Sequence, residues 1–349
     1  MTNNDKIRVL VVDDTAFMRK AIPQLLETDP EIQVVDVAKN GLDALEKIRQ
    51  LKPDVITLDI DMPVMDGLTA IKHIMIESPL PIVVLSSLVT EGAITFEALR
   101  LGVADFVPKP SGAISLDIDH SRQNIIDRIK MVHTMKLENV RRVRLPKKWG
   151  LKERLENLYH FYPLEYMIAI GTTLAGPNTV IRLLSQLTPM LPAVLVVIQE
   201  ISPRIISSFA DQFNEQVPWR IEVGKDGAVL EQGICYILSN EEACSIRVNE
   251  KGAPSLYTDH AARDYPLNQL FSSAADVFRQ NTIGILLSGI GDDGSDGLGR
   301  IREEFGITMA MNTFCCVFPN LTDNAIQKGV VDMVLDEQEL SAAIESVVK

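Results

Sequence analysis

Histidine is scarce in this sequence, with five residues in 349, at positions 73, 120, 133, 160 and 260. Chemistry that needs a base near neutral pH therefore has few places to find one. The four cysteines, at 235, 244, 315 and 316, lack the paired spacing of a zinc site and read as reduced thiols of a cytoplasmic protein. Positive charge is in deficit: 34 Lys and Arg against 47 Asp and Glu give a net charge of −13. That balance argues against general binding to nucleic acid or an anionic membrane. No apolar run reaches membrane-spanning length, and the longest, such as LPAVLVVI (191–198), suit buried strands. The opening MTNNDKIRVL lacks the apolar core of a signal peptide, so a cytoplasmic location is expected.

What is present is a soluble α/β pattern in a chain long enough for two domains. Residues 6–109 alternate apolar strands, IRVLVV (7–12), IQVVDV (32–37), DVITLD (54–59), PIVVLS (81–86) and ADFVP (104–108), with helical periodicity, as in FMRKAIPQLLET (17–28) and GLDALEKIRQL (41–51). Near-continuous apolar strands between amphipathic helices mean a parallel sheet covered on both faces. A fifth helix, roughly 120–136, closes a first domain over 1–136. Residues 137–163 contain the basic, Pro- and Gly-broken run NVRRVRLPKKWGLK and read as a linker; no helix-turn-helix or aromatic stacking set accompanies that run. Strand–helix alternation resumes over 164–349, with strands near 167–170, 193–198, 220–223, 234–238 and 282–288 and hairpin signals within 221–259.

In an open parallel sheet, ligands bind at the carboxyl ends of the strands. Asp13 and Asp14 end the first strand of the N-terminal domain, Asp59 the third and Ser86 the fourth, and Lys109 follows the fifth. Three carboxylates together repel one another unless a hard cation sits among them, and Mg²⁺ suits such ligands. Asp59 could then attack a phosphoryl group, with Ser86 and Lys109 binding its oxygens. The motifs VVDD (11–14), LDIDMPVMDG (58–67), LSS (85–87) and DFVPKP (105–110) resemble the receiver domain of two-component response regulators. The resemblance implies a doubly wound (βα)5 fold, Asp59 as phosphoacceptor, Mg²⁺ held by Asp13, Asp14 and Asp59, a switch formed by Ser86 with Phe106, and a sensor histidine kinase as partner.

The order of receiver, linker and second α/β domain resembles the chemotaxis protein-glutamate methylesterase family. The resemblance runs through IAIGTTLAGP (168–177), VVIQEISP (196–203), SSFADQFN (207–214), GILLSGIGDDGSDGL (284–298) and FCCVFPNLTDNAIQKGVV (314–331). It implies a mostly parallel α/β methylesterase-like domain, a Ser-His-Asp triad switched on by phosphorylation, and methyl-accepting receptors or a scaffold as partners. Residue by residue, the match is incomplete. Thr173 stands at the serine position, Glu200 at the histidine position within Gln199-Glu200-Ile201-Ser202-Pro203, and Asp293 at the aspartate position of an intact glycine-rich loop. The family's paired glycines after the serine are Ala175-Gly176 here, and its His-Arg-Pro segment is replaced by ARDYPLNQLF (262–271).

An alcohol nucleophile needs a base within hydrogen-bond reach, and a glutamate beside Asp293 is a poor one. In a well-studied serine protease, loss of the nucleophile or the histidine alone costs roughly 10⁶ in turnover. His260 is the one histidine inside the second domain and reads as a solvated loop residue. Ser202, before a proline, is expected to cap the next helix, and the acidic loop at 291–296 to cap the helix that follows it. The leading expectation is a regulator phosphorylated on Asp59 whose output domain has lost hydrolysis and acts by binding. The alternatives are an active esterase or deamidase using Thr173, and a phosphate sink.

Overall fold

The computed structural model describes residues 6–86, 92–110, 116–140, 163–259 and 264–348. The chain divides into two compact units, Met1–Arg142 and Val143–Lys349. Most of the basic run at 139–152 lies outside the described residues, as does the 260–263 segment with His260.

The first unit alternates β1 (Ile7–Val12), α1 (Ala16–Leu26), β2 (Ile32–Ala38), α2 (Gly41–Leu51), β3 (Val55–Leu58), α3 (Gly67–Glu77), β4 (Ile82–Ser86), α4 (Gly92–Leu101), β5 (Asp105–Pro108) and α5 (Leu116–His133). The five strands form one sheet in the order β2-β1-β3-β4-β5, every pair parallel. Local chemistry sets the helix starts: Thr15, Asn40 and Asp66 each accept a backbone N–H of the first turn of α1, α2 and α3. Leu10, Val12, Ile56, Leu58, Ile82 and Val84 form one buried face against Ala44, Ile48, Ile71 and Ile74 of the helices.

The second unit runs β6 (Tyr166–Gly171), α6 (Gly176–Gln186), β7 (Ala193–Gln199), α7 (Ile206–Asn214), β8 (Arg220–Val223), β9 (Ile234–Ser239), β10 (Ala243–Val248), β11 (Pro254–Asp259), α8 (Pro266–Phe278), β12 (Thr282–Leu286), α9 (Ser295–Glu303), β13 (Ile307–Met311), α10 (Asn320–Gln327), β14 (Met333–Leu335) and α11 (Glu337–Val348). Seven strands form a parallel sheet in the order β14-β13-β12-β6-β7-β9-β8. All seven residues of β7 are buried, as a strand covered on both faces requires. β10 and β11 pair as an antiparallel hairpin, and Ser273 Oγ of α8 accepts the Ile246 N–H at 2.9 Å.

Two capping expectations are corrected. Ser202 caps no helix: α7 starts from Ile205, and Ser202 Oγ only accepts the Arg204 N–H at 3.4 Å within a turn. The acidic loop does not cap α9 either, whose N-cap is Gly294 with no side-chain bond. Asp293 reaches instead to the start of α8, where Leu267 and Asn268 donate their N–H groups to Oδ2 and Oδ1 at 2.8 and 2.9 Å.

Candidate functional site

β1 and β3 are neighbours with Val12 opposite Leu58, so the residues that follow them converge at the carboxyl edge of the first sheet. Carboxylate oxygens of Asp13, Asp14 and Asp59 lie within 4.8 Å of one another. Asp13 is fully buried, Asp59 nearly so, and Asp14 is exposed. Lys109 places its ammonium 2.7 Å from Oδ2 of both Asp13 and Asp59. Its backbone N–H donates to the Ser86 carbonyl at 3.0 Å, which ties the end of β5 to the end of β4. Phe106 lies opposite Val84 on β5, its ring half-buried against the core.

The electrostatics follow from this packing. Burial holds the Asp59 carboxyl above its usual range; the Lys109 hydrogen bond and charge oppose this, and the like charge of Asp13 adds to it. Burial alone would lower the Lys109 pKa, but its bonds to Asp13 and Asp59 outweigh that and raise it. The lysine is therefore a fixed cation. Hard oxygen donors clustered this closely, one of them facing solvent, fit a divalent cation such as Mg²⁺.

Two residues that sequence reasoning missed hold this pocket in place. Thr15 donates both its N–H and its hydroxyl to Asp13 Oδ1, at 2.9 and 2.7 Å. Gly67 sits so close under the Asp59 turn that a Cβ there would stand 2.4 Å from the Asp59 carbonyl oxygen. The signals were in plain sight, a Thr after VVDD and the last residue of MPVMDG, but their reason is a tertiary contact.

In the second unit, β12, β6 and β7 lie side by side, and β6 is where the strand order reverses. In open parallel sheets, ligands bind outside the carboxyl edge at such a switch point. Thr173 follows β6, Glu200 follows β7, and Asp293 lies in the loop after β12, so all three fall at that edge. Their bonding is another matter. Thr173 Oγ1 accepts the Ile290 N–H at 2.7 Å and donates to the Ile290 carbonyl at 3.2 Å, so both functions of the hydroxyl go to one backbone unit. Asp293 is spent on α8, as described above; burial raises its pKa while those backbone bonds oppose the rise. Glu200 is half-buried just past the end of β7. No described residue of this unit is a histidine.

The turn itself keeps a demanding geometry. A Cβ on Gly176 would stand 2.0 Å from Thr172 Oγ1, which donates to the Ser288 carbonyl at 2.6 Å. Ala175 occupies the left-handed region, with φ 59° and ψ 3°, where a glycine would be unstrained.

Comparison with known proteins places this geometry. Residues 9–117 match the response regulator receiver domain model and residues 168–344 the CheB methylesterase model. The chain is 35% identical over 354 residues to the protein-glutamate methylesterase/protein-glutamine glutaminase of Caldanaerobacter subterraneus subsp. tengcongensis, covering 96% of this chain and 95% of that one. It is 36% identical over 346 residues to the protein of the same name from Geobacillus kaustophilus, covering 97% of each. The second unit shares its fold with the Thermotoga maritima CheB methylesterase catalytic domain, at TM-score 0.50 and 22% identity, over 52% of this chain and 98% of that one. Among the described residues no helix is long and apolar enough to cross a membrane. With both domain models matched and relatives aligned end to end, the chain belongs to the protein-glutamate methylesterase family of response regulators.

Proposed function

We propose that the chain is a cytoplasmic response regulator of chemotaxis-type signalling, phosphorylated on Asp59, whose output domain acts by binding and not by ester hydrolysis. The domain limits that go with this reading are 1–136 for the receiver, 137–163 for the linker and 164–349 for the output domain. In the receiver, an Asp59 oxygen attacks phosphorus, the bond to the donor's leaving group breaks, and an acyl phosphate forms. The donor is a sensor histidine kinase. Mg²⁺, held by Asp13, Asp14 and Asp59, would neutralise phosphoryl oxygens during transfer. Lys109 loses its partner at Asp59 as that carboxylate is modified and is free to follow the new phosphoryl oxygens. Ser86 at the end of β4 gives a hydroxyl to the same oxygens, and Phe106 on the next strand carries the change outward.

The observation that carries the binding reading is the state of Thr173. Its proton goes to the Ile290 carbonyl, its lone pair takes the Ile290 N–H, and Glu200 replaces the residue that would have taken the proton. A carboxylate is a weaker base than an imidazole, so it is poorly suited to take the proton of an attacking alcohol. A specific observation favours the second reading, an active methylesterase or glutaminase acting on receptor side chains. The relatives above, aligned over nearly the whole chain, carry that activity in their names. In that reading Thr173 attacks with Glu200 or a water as base.

Two assays separate them. Methanol release from methylated receptor, with and without acetyl phosphate, is expected to be no greater for the wild type than for Thr173→Ala. Receptor or kinase binding is expected to change with phosphorylation and to lose that response in Asp59→Asn. Fast dephosphorylation with no partner of either kind would identify a phosphate sink.

A further inference from the structure

Arg19 lies one turn into α1, where its backbone N–H donates to the Thr15 carbonyl at 3.1 Å. Long helical side chains lean toward the N-terminus of their helix. The Arg19 side chain accordingly runs back past the start of α1 to the chain that leaves β1. There its Nη1 donates to two successive main-chain carbonyls, that of Asp13 at 2.9 Å and that of Asp14 at 2.7 Å.

Charge alone does not explain a cation at this place. The amino end of a helix is its positive end, where a cation is unfavourable, and the first turn of α1 has no acidic residue to offset it. The carboxylates of Asp13, Asp14 and Asp59 attract a guanidinium while the pocket is empty of metal, but a fixed cation beside them opposes the entry of Mg²⁺. The counter-ion inside the pocket is Lys109, which bonds carboxylate oxygens of Asp13 and Asp59. Both bonds of Arg19 go to main-chain oxygens instead, so a metal approaching Asp14 has no need to displace it.

What the guanidinium supplies is geometry. One nitrogen reaches two successive carbonyls only where they converge, and converging carbonyl dipoles repel unless a donor sits between them. Asp13 has other anchors, since Thr15 takes its Oδ1 and Lys109 its Oδ2. Asp14 is exposed, and Arg19 fixes its main chain. We propose that Arg19 is a positioning residue for the divalent-cation site: it holds the peptide that follows Asp14, so that the Asp14 carboxylate stays with those of Asp13 and Asp59. This rests on the reading of the pocket as a Mg²⁺-dependent phosphoacceptor site, and it adds the group that keeps the solvent-facing ligand in place.

The test titrates the full chain with MgCl₂ by isothermal titration calorimetry at constant ionic strength, so that surface charges are screened alike in every variant. Loss of a group that orients a metal ligand typically weakens affinity 10–100-fold, and Arg19→Met is expected to raise the Mg²⁺ dissociation constant about tenfold. Arg19→Lys, whose ammonium can still donate to a carbonyl, is expected to recover part of that loss. Arg19→Gln, neutral and too short to span both carbonyls, is expected to follow Arg19→Met and keeps the test open if the methionine variant fails to fold. Lys20→Met removes the same charge from an exposed neighbouring position and is expected to leave the constant unchanged or lowered. The sign separates the possible roles. An unchanged constant in folded Arg19→Met and Arg19→Gln would make Arg19 a structural bond of α1, and a lowered one would make it only a repelling charge; either result overturns the proposal. A wild-type chain that binds no Mg²⁺ would overturn the reading of the pocket and this inference with it, whereas wild-type binding matched by Arg19→Met overturns the inference alone.

Discussion

Replacing Lys109 with methionine tests the electrostatics of the receiver pocket at its hinge. The lysine side chain is 8% exposed, and its two carboxylate partners are 0% and 5% exposed, each 2.7 Å away. Methionine keeps the aliphatic bulk and removes the charge, which leaves Asp13 and Asp59 facing each other. Removing one partner from a buried ion pair costs about 3–5 kcal/mol, and that is the loss expected for unfolding of the receiver at neutral pH without divalent cations. The sign with pH follows from the proton balance. Asp59 already titrates above its ordinary value of 3.8, and losing the two Lys109 contributions that oppose the rise moves it further up. Between the ordinary value and that raised one, the folded state binds more protons than the unfolded state, so the variant loses stability as pH rises through this window. Lys109 itself titrates above its ordinary 10.5, so the wild-type contribution persists across neutral pH and is lost only as pH rises through that higher value. A divalent cation at a hundred times its dissociation constant stabilises by about 2.7 kcal/mol and is expected to recover much of the deficit. Urea unfolding followed by far-ultraviolet circular dichroism, with and without Mg²⁺ and across pH, measures all three effects. A loss below about 1 kcal/mol, or one that does not change with pH, would refute the argument.

Other outcomes follow from the same contacts. Asp59→Asn is expected to abolish labelling by a radioactive phosphodonor and to raise receiver stability at neutral pH, with the gain shrinking as pH falls toward the ordinary carboxyl range, read by the same urea titration. Gly67→Ala puts a methyl 2.4 Å from the Asp59 carbonyl oxygen, so the turn must move; the expected result is a loss of about 1–3 kcal/mol and slower phosphorylation by acetyl phosphate. In the output domain, Asp293→Ala strands the Leu267 and Asn268 N–H groups and is expected to cost about 1–2 kcal/mol in thermal unfolding, whereas Asp293→Asn retains much of the cap.

Most of the architecture was legible in the sequence because its signals are local. The bounds of α2, 41–51, could be read from the helical periodicity of GLDALEKIRQL, and the structure adds Asn40 as the cap at one end and a left-handed Lys52 at the other. Continuous apolar strands gave the parallel sheets, and the pocket of Asp13, Asp59 and Lys109 followed from strand ends alone. What stayed hidden depends on contacts distant in sequence. β14 is three residues long and half-exposed, too short to carry a pattern. Asp293 looks like the start of α9 and instead caps a helix that begins 27 residues earlier, a pairing set by how α8 lies across the sheet. The Thr173 position was readable, but not that its hydroxyl is engaged on both sides by Ile290.

The central claim is that the output domain keeps the fold and lacks the proton-transfer chemistry. The most direct measurement is methanol release from methylated receptor by acetyl phosphate-treated wild type, Thr173→Ala, and the double variant Thr173→Ser, Glu200→His, under one set of conditions. The account predicts wild-type release equal to that of Thr173→Ala, with any gain confined to the double variant. Release by the wild type that disappears in Thr173→Ala would contradict it and make Thr173 a working nucleophile.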